Sequence, residues 1–379
     1  MSNQQTRYSV SCAKAALRAL DLAMLRGGYI DWAPIAAPLV TLATHMKSKN
    51  TFTKRSMLEA ARNQIQTPHN AVLPQQYLHD ASARSIPRID ARDISVESFT
   101  REYMEANPPR PVILIHALDA WPASALWKSL DYLHETAGDR LVPVETCSAE
   151  DAGRSFLSHT WSHRIMSFSD YIQRYVVRDP VTVALDEDES QAHGYLAQHP
   201  LLDQVPALRE DIIVPVFCRA HTAEDNARPV DCDFRSEPLV SAWFGPKDTV
   251  SPIHNDPYHN TLAQIVGSKY VRIYETSVTD RLYPTKSRLG HNSQVDLDDV
   301  DELHFPLFKG TPCWQAVLQA GELLYIPRLN WHYVRSLEMS ISASFWFGAK
   351  MELIEGKEKG TYGVEYVRKH DPGKSLMIQ

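Results

Sequence analysis

The stretch Ser251-Pro-Ile-His-Asn-Asp-Pro257 holds the side chains best suited to chemistry. If it is extended, alternate side chains share a face, so His254 and Asp256 project together. An imidazole nitrogen beside a carboxylate oxygen makes two ligands for a divalent metal. Trp331-His332-Tyr333 offers a third. Two histidines and one carboxylate on one face of a metal, with its other positions open, form the triad of non-haem iron(II) oxygenases. Each part is weak alone. Triplets of this kind arise by chance, and a lone histidine between Trp331 and Tyr333 is more often a satisfied core residue. Pro257 strengthens the triplet, because proline ends strand pairing and leaves a site at a strand end, where it can be open. His259, His291 and His304 are expected to be non-ligands. His259 falls off the ligand face, and the other two lie in a polar connection.

Beyond the triplet, Val266-Gly-Ser-Lys269 predicts a hairpin turn at Gly267-Ser268. That register pairs Val266 with Lys269, Gln264 with Val271 and Leu262 with Ile273. Asn260 and Lys269 then share a face with Leu262, Val271 and Ile273. A lysine in such surroundings needs a partner, since an unpaired buried ammonium is costly. A bound carboxylate would serve, and so would an ion pair with a nearby Asp or Glu.

The elements that must position these groups are short strands. Ala242–Gly245, Thr261–Val266, Lys269–Tyr274, Gly321–Ile326, His332–Val334 and Ser340–Phe347 are apolar runs between turn residues, the texture of a β-barrel or jelly roll. Ahead of them, Arg110–Ile115, Leu141–Glu145 and Gly194–His199 read as strands. Trp127–Gly138 and Phe168–Val177 read as helices. Cys12–Lys49 reads as helical with a break at Gly27-Gly28; helices are expected from Ile35 to Met46 and from Phe52 to Ile65. Pro74–Arg92 reads as a linker, Asp186–Ser190 as a solvated acidic loop and 219–237 as a surface insertion. The expected organisation is a helical region over 1–84, a mainly β catalytic domain with flanking helices over 85–348, and a peripheral tail over 349–379.

The whole chain is consistent with this. Its 379 residues suffice for one large domain and an extension. A net charge of -7 provides no basic excess to track phosphates, which argues against a nucleic-acid binder. Five scattered cysteines without a CxxC pair suggest reduced thiols and no zinc knuckle. No signal-peptide pattern opens the chain, and no apolar run reaches the roughly 18 residues of a membrane span. An intracellular protein, nuclear or cytoplasmic, is expected.

With these residues in view, the chain resembles the Jumonji-C dioxygenases, which are Fe(II)- and 2-oxoglutarate-dependent enzymes on a double-stranded β-helix of the cupin type. The motifs are Trp243-Phe-Gly-Pro246, the 251–257 stretch, Asn260, Gly267–Tyr274, Gly321–Pro327 and Trp331–Arg335. Arg110–Leu114, Val142–Glu145, Gly194–His199, Asp203-Gln204 and Asn292–Asp296 match the small arginyl-hydroxylase branch, also called lysine demethylase eight. The likeness covers roughly residues 85 to 348. It implies that His254, Asp256 and His332 bind iron, and that Lys269 pairs with the distal carboxylate of 2-oxoglutarate. Tyr195 and Ser251 would assist Lys269, and Asn260 would hold the end nearer the iron. It also implies that Glu145, Trp161, Gln198 and Trp243 surround a substrate side chain. A guanidinium suits such a pocket, since a carboxylate grips it with two parallel hydrogen bonds and indoles stack on it. The branch's pocket tyrosine is replaced by Phe156, after a lengthened loop at 146–155. That removes a hydrogen bond worth about 1.5–3 kcal/mol to a charged group. The expected activity is hydroxylation of arginine in a protein or peptide. The alternatives are demethylation of N-methyl lysine, a non-catalytic cupin binding module, or a metal hydrolase or isomerase on the same barrel.

Overall fold

A computed structural model describes residues 3–25, 80–147, 162–177, 193–226, 234–285 and 291–349. Fourteen strands among them form two sheets: β1 (Ala83–Ser85), β2 (Arg88–Asp90), β3 (Val112–Ile115), β4 (Leu141–Cys147), β5 (Ser162–Ser167), β6 (His193–His199), β7 (Phe234–Gly245), β8 (Val250–His254), β9 (His259–Val266), β10 (Lys269–Tyr274), β11 (Cys313–Leu318), β12 (Leu323–Ile326), β13 (Trp331–Ser336) and β14 (Ser340–Ala349). The smaller sheet runs β1-β11-β10-β13-β8, and the larger β2-β3-β12-β9-β14-β7-β6-β4-β5.

Three cores hold this arrangement. Ile113, Leu262, Leu324 and Ile326 of the larger sheet pack on Val271, Ile273, Leu318 and Val334 of the smaller, so the sheets face each other as in a jelly roll. Strand β9 shows the period of two: Leu262 enters this inner core, while Ala263 and Ile265 join the helices on the sheet's outer face. That outer core gathers Phe99, Trp121, Trp127, Leu133 and Phe168. The third core covers the outside of the smaller sheet, where Tyr270, Tyr274, Trp331 and Tyr333 meet Leu282, Val295, Leu297 and Phe308 from the connection between β10 and β11.

Several expectations change. Strands β9 and β10 do not form a hairpin; they lie in different sheets, with β9 between β12 and β14 and β10 between β11 and β13. Gly267 is therefore the crossing point. Its backbone is left-handed (φ 74°), and a Cβ there would sit 2.1 Å from the carbonyl oxygen of Met339. The expected linker contains β1 and β2, each of which adds in parallel to a sheet edge. The helix foreseen over 127–138 is present as Leu130–Ala137, starting later because Ser129 caps it by accepting from Tyr132 N–H, and a separate short helix, Ala123–Leu126, precedes it. The segment over 168–177 begins as an α-helix and continues as a π-helical turn. The expected surface insertion sends Asp225, 3% exposed, inward to an ion pair with Arg328 at 2.8 Å. Near the amino terminus, Asn3–Leu25 is helical, and its buried Asp21 pairs with Arg140 at the entry to β4. The helices expected over 35–46 and 52–65, and the acidic run over 186–190, lie outside the described residues. Among the described residues no helix is long and apolar enough to cross a membrane.

Candidate metal and co-substrate site

His254 closes β8, and β13 runs antiparallel beside it, with His332 directly opposite. The two rings lie 4.2 Å apart, centre to centre. Each is held the same way. His254 Nδ1 donates to the Pro252 carbonyl at 2.7 Å, and His332 Nδ1 to that of Asn330 at 3.1 Å. A proton on Nδ1 leaves the Nε2 lone pair free, the form of imidazole that binds metals. Burial, with His254 alongside, pushes the His332 pKa down to about 4, so the ring stays neutral at ordinary pH. Asp256 follows two residues after His254. One carboxylate oxygen lies 3.7 Å from His332 Nε2 and accepts from Trp346 Nε1–H at 2.8 Å. Ligand atoms of the three side chains all lie within 4.8 Å of one another, and among the described residues no other such group of His, Cys, Asp or Glu forms. The main chain of Asp256 is tied too, its carbonyl accepting from Leu329 N–H at 2.9 Å.

Lys269 opens β10 on the inner face and is 2% exposed. Its ammonium lies 3.4 Å from the Tyr195 hydroxyl. Among the described residues no carboxylate stands within ion-pair distance of it, so the ion-pair alternative fails. Burial pushes its pKa down to about 7. Ser251 hydrogen-bonds Tyr195, whose phenol is pushed up chiefly by burial. Asn260, 3% exposed, leaves its side-chain oxygen without a partner. Buried polar atoms are rarely left so. The Lys269 ammonium, lining the same pocket without a carboxylate partner, marks a place for an anionic ligand, while the Asn260 oxygen, an acceptor, calls for a donor.

The triad, Tyr195, Ser251, Asn260, Lys269 and Trp243 line a single pocket. Trp243 packs between Tyr195 and Trp346, with centroids at 6.0 and 6.4 Å, and its Nε1–H donates to Ser344 Oγ at 2.9 Å. Ser344 and Trp346 also line the pocket and were not foreseen. The alternation along β14 was their signal, since Ser342, Ser344 and Trp346 share one face. Glu145 sits opposite Tyr195 in the pairing of β4 with β6 but is not a lining residue. Burial raises its carboxyl pKa to about 7, and His163 Nε2 lies 3.8 Å from it. Gln198 departs further from expectation. The register of β6 against β7 slips between Leu196 and His199, and Gln198 takes a left-handed backbone (φ 47°) and an exposed position outside the pocket lining. Phe156 and Trp161 lie outside the described residues.

None of the expected non-ligands belongs to the group of potential ligand atoms formed by the triad. His259 Nδ1 accepts from the Tyr325 hydroxyl at 2.8 Å, and its ring packs on Tyr325 and Phe347. His291 turns to Asn255 and His304 to Asp301.

Two facing sheets with a triad at the end of one strand pair agree with what comparison finds: residues 96–352 match the cupin-like domain, and the chain belongs to that family. Within it the chain stands with the Jumonji-C proteins. It is similar to lysine-specific demethylase JMJ30 of Arabidopsis thaliana, 39% identical over 267 residues, 70% of this chain and 56% of that protein. Lysine-specific demethylase 8 of Xenopus tropicalis is 38% identical over 267 residues, 70% and 53% of the two chains. Jumonji C domain-containing protein 5 of Drosophila melanogaster is 37% identical over 263 residues, 69% and 59%. The chain thus spans little more than half the length of these relatives.

Proposed function

We propose that the chain is an Fe(II)- and 2-oxoglutarate-dependent oxygenase that hydroxylates arginine side chains of a protein substrate. One observation carries the proposal: a buried lysine without a carboxylate partner shares a pocket with two histidines and a carboxylate whose potential ligand atoms lie within 4.8 Å of one another. His254, Asp256 and His332 would hold the iron. Lys269, Tyr195 and Ser251 would take the distal carboxylate of 2-oxoglutarate, and Asn260 its other end. When bound, iron and co-substrate supply the oxidation: O2 and 2-oxoglutarate give succinate, CO2 and one oxygen atom inserted into a substrate C–H bond. The protein's own work is to fix these groups and exclude water. The small free volume left by Trp243, Leu262, Ile326 and Trp346 around the polar residues serves that end.

Arginine is supported by the Trp243 indole in the pocket and by the motifs shared with the arginyl-hydroxylase branch; Glu145 stands opposite Tyr195 in the strand register, outside the pocket lining. A second reading, removal of a methyl group from N-methyl lysine, is favoured by the names of the two demethylase relatives. Hydroxylating that methyl gives a hemiaminal that releases formaldehyde. Mass spectrometry of treated peptides separates the two. A gain of one oxygen on arginine is the expected result, while loss of a methyl group with formaldehyde release selects the demethylase. No change in any arginine or methyl-lysine peptide, with 2-oxoglutarate still consumed, would point to another substrate residue.

The lysine also predicts a pH dependence. In the free site its pKa is lowered to about 7, so below that pH the ammonium is already present. Above it, binding a carboxylate must take up a proton. Affinity for 2-oxoglutarate is expected to fall as pH rises from 7 towards 10. Calorimetry in buffers of different ionisation heat should show proton uptake at pH 8.5 and little at pH 6. Equal uptake at both would remove Lys269 as the anchor.

A further inference from the structure

The connection between β10 and β11 covers the outside of the smaller sheet and then returns to the metal ligands. Its residues His291 to Ser293 run antiparallel along the end of β8. Ser293 N–H donates to the Ile253 carbonyl at 2.8 Å, Asn292 forms a β-bridge with His254, and Asn255 N–H donates to the His291 carbonyl at 2.9 Å. The segment is itself pinned, since Ser293, fully buried, donates through Oγ to the Leu282 carbonyl. A side-chain bond closes the arrangement. Asn255 stands between the ligands His254 and Asp256 and is 3% exposed; its Oδ1 lies 3.0 Å from His291 Nδ1. An amide oxygen only accepts, so the imidazole nitrogen is the donor.

We propose that the His291–Asn255 pair is a positioning clasp for the metal site, fixing the spacing of His254 and Asp256 before metal arrives. This rests on the reading of the triad as a divalent-metal site. From the other side the triplet is held by β13 and by Leu329 N–H on the Asp256 carbonyl. Without the clasp, the backbone between the two ligands keeps main-chain bonds but loses its only side-chain tie to the covering segment among the bonds described. Metal binding then has to order that backbone itself, which weakens affinity.

The test uses the full chain, free of metal and without 2-oxoglutarate, titrated anaerobically with Co(II), with the melting temperature of the apo form measured alongside. His291→Ala is expected to weaken Co(II) binding by about tenfold or more, within the range of about 10–100-fold seen when groups supporting metal ligands are removed. His291→Asn, which keeps an N–H donor near the position of Nδ1, is expected to restore most of it. Asn255→Ala should match His291→Ala, and the double variant should be no weaker than either single one. Unchanged Co(II) affinity in a folded His291→Ala protein, even with a lowered melting temperature, marks a purely structural bond and overturns the clasp. So do losses that add in the double variant. A wild-type chain that binds no Co(II) overturns the metal reading itself, a result distinguishable from failure of the clasp alone.

Discussion

Replacing His254 with alanine, or Asp256 with alanine, is expected to abolish 2-oxoglutarate turnover while leaving the protein folded. The two effects separate because the ligands contribute little to the core. Both residues are only half-buried at the end of β8, whereas Ile253 beside them is fully buried and carries the packing. Neither change opens a large cavity, so stability should move by about 1 kcal/mol or less, as for substitutions away from cores and buried networks. The loss of chemistry is far larger. Supporting groups alone alter metal affinity by about 10–100-fold, and a direct ligand does more. Alanine at 256 also removes the acceptor for Trp346 Nε1–H. That indole faces the pocket and could turn to water there, which limits the structural cost. Measurement of succinate formation, with circular dichroism as the control for folding, decides the point. Full turnover in either variant would sink the metal assignment, and so would a Co(II) affinity equal to that of the wild type.

How far this site was legible depended on where the information lay. The triad could be read because the period of a strand is local: His254 and Asp256 are two apart, and Pro257 marks the strand's end. Lys269 stood out because a charge interrupts an apolar face, a pattern visible in five residues. The register of β9 against β10 could not be read. A turn at Gly267 between two buried strands has the same local sequence whether the chain folds back in one sheet or passes to the opposite one. What decides it is the partner on each side, β14 for β9 and β13 for β10, and those lie about 60 or more residues away in the chain. The face shared by Asn260 and Lys269 nevertheless survived, because both alternatives turn the two side chains toward the same interior. Strands β1 and β2 escaped notice for a related reason. Three residues such as Ala-Arg-Ser carry no pattern of their own and become a strand by lying against β11. Gln198 fails differently. The run Gly194–His199 is a strand as expected, but its bulge shifts the residue off the face that an unbroken period of two would assign.

Lys269→Met is expected to make the apo protein more stable and unable to hold its co-substrate. The ammonium is 2% exposed, has only a tyrosine hydroxyl at 3.4 Å, and has its pKa lowered from 10.5 to about 7 by burial. A lysine whose folded pKa lies below its unfolded value binds fewer protons in the native state. It therefore lowers stability most at and below pH 7, and the penalty fades as pH rises toward 10.5. Methionine has nearly the same length and no charge to desolvate. Replacing even a buried ion pair with apolar side chains of similar volume often gains about 1–4 kcal/mol, and a gain of at least about 1 kcal/mol at pH 7 is expected for this ammonium, which has no carboxylate partner. The urea midpoint should rise at pH 7, and the difference from wild type should shrink by pH 9.5. With Mn(II) present throughout, adding 2-oxoglutarate should then raise the wild-type midpoint and leave that of the variant unmoved. A structural lysine paired within the protein predicts the reverse, a variant less stable at pH 7 that still answers to the ligand. The two signs together decide whether Lys269 is kept for the fold or for the anion, because a buried charge that costs stability in the empty site is retained only by what it binds.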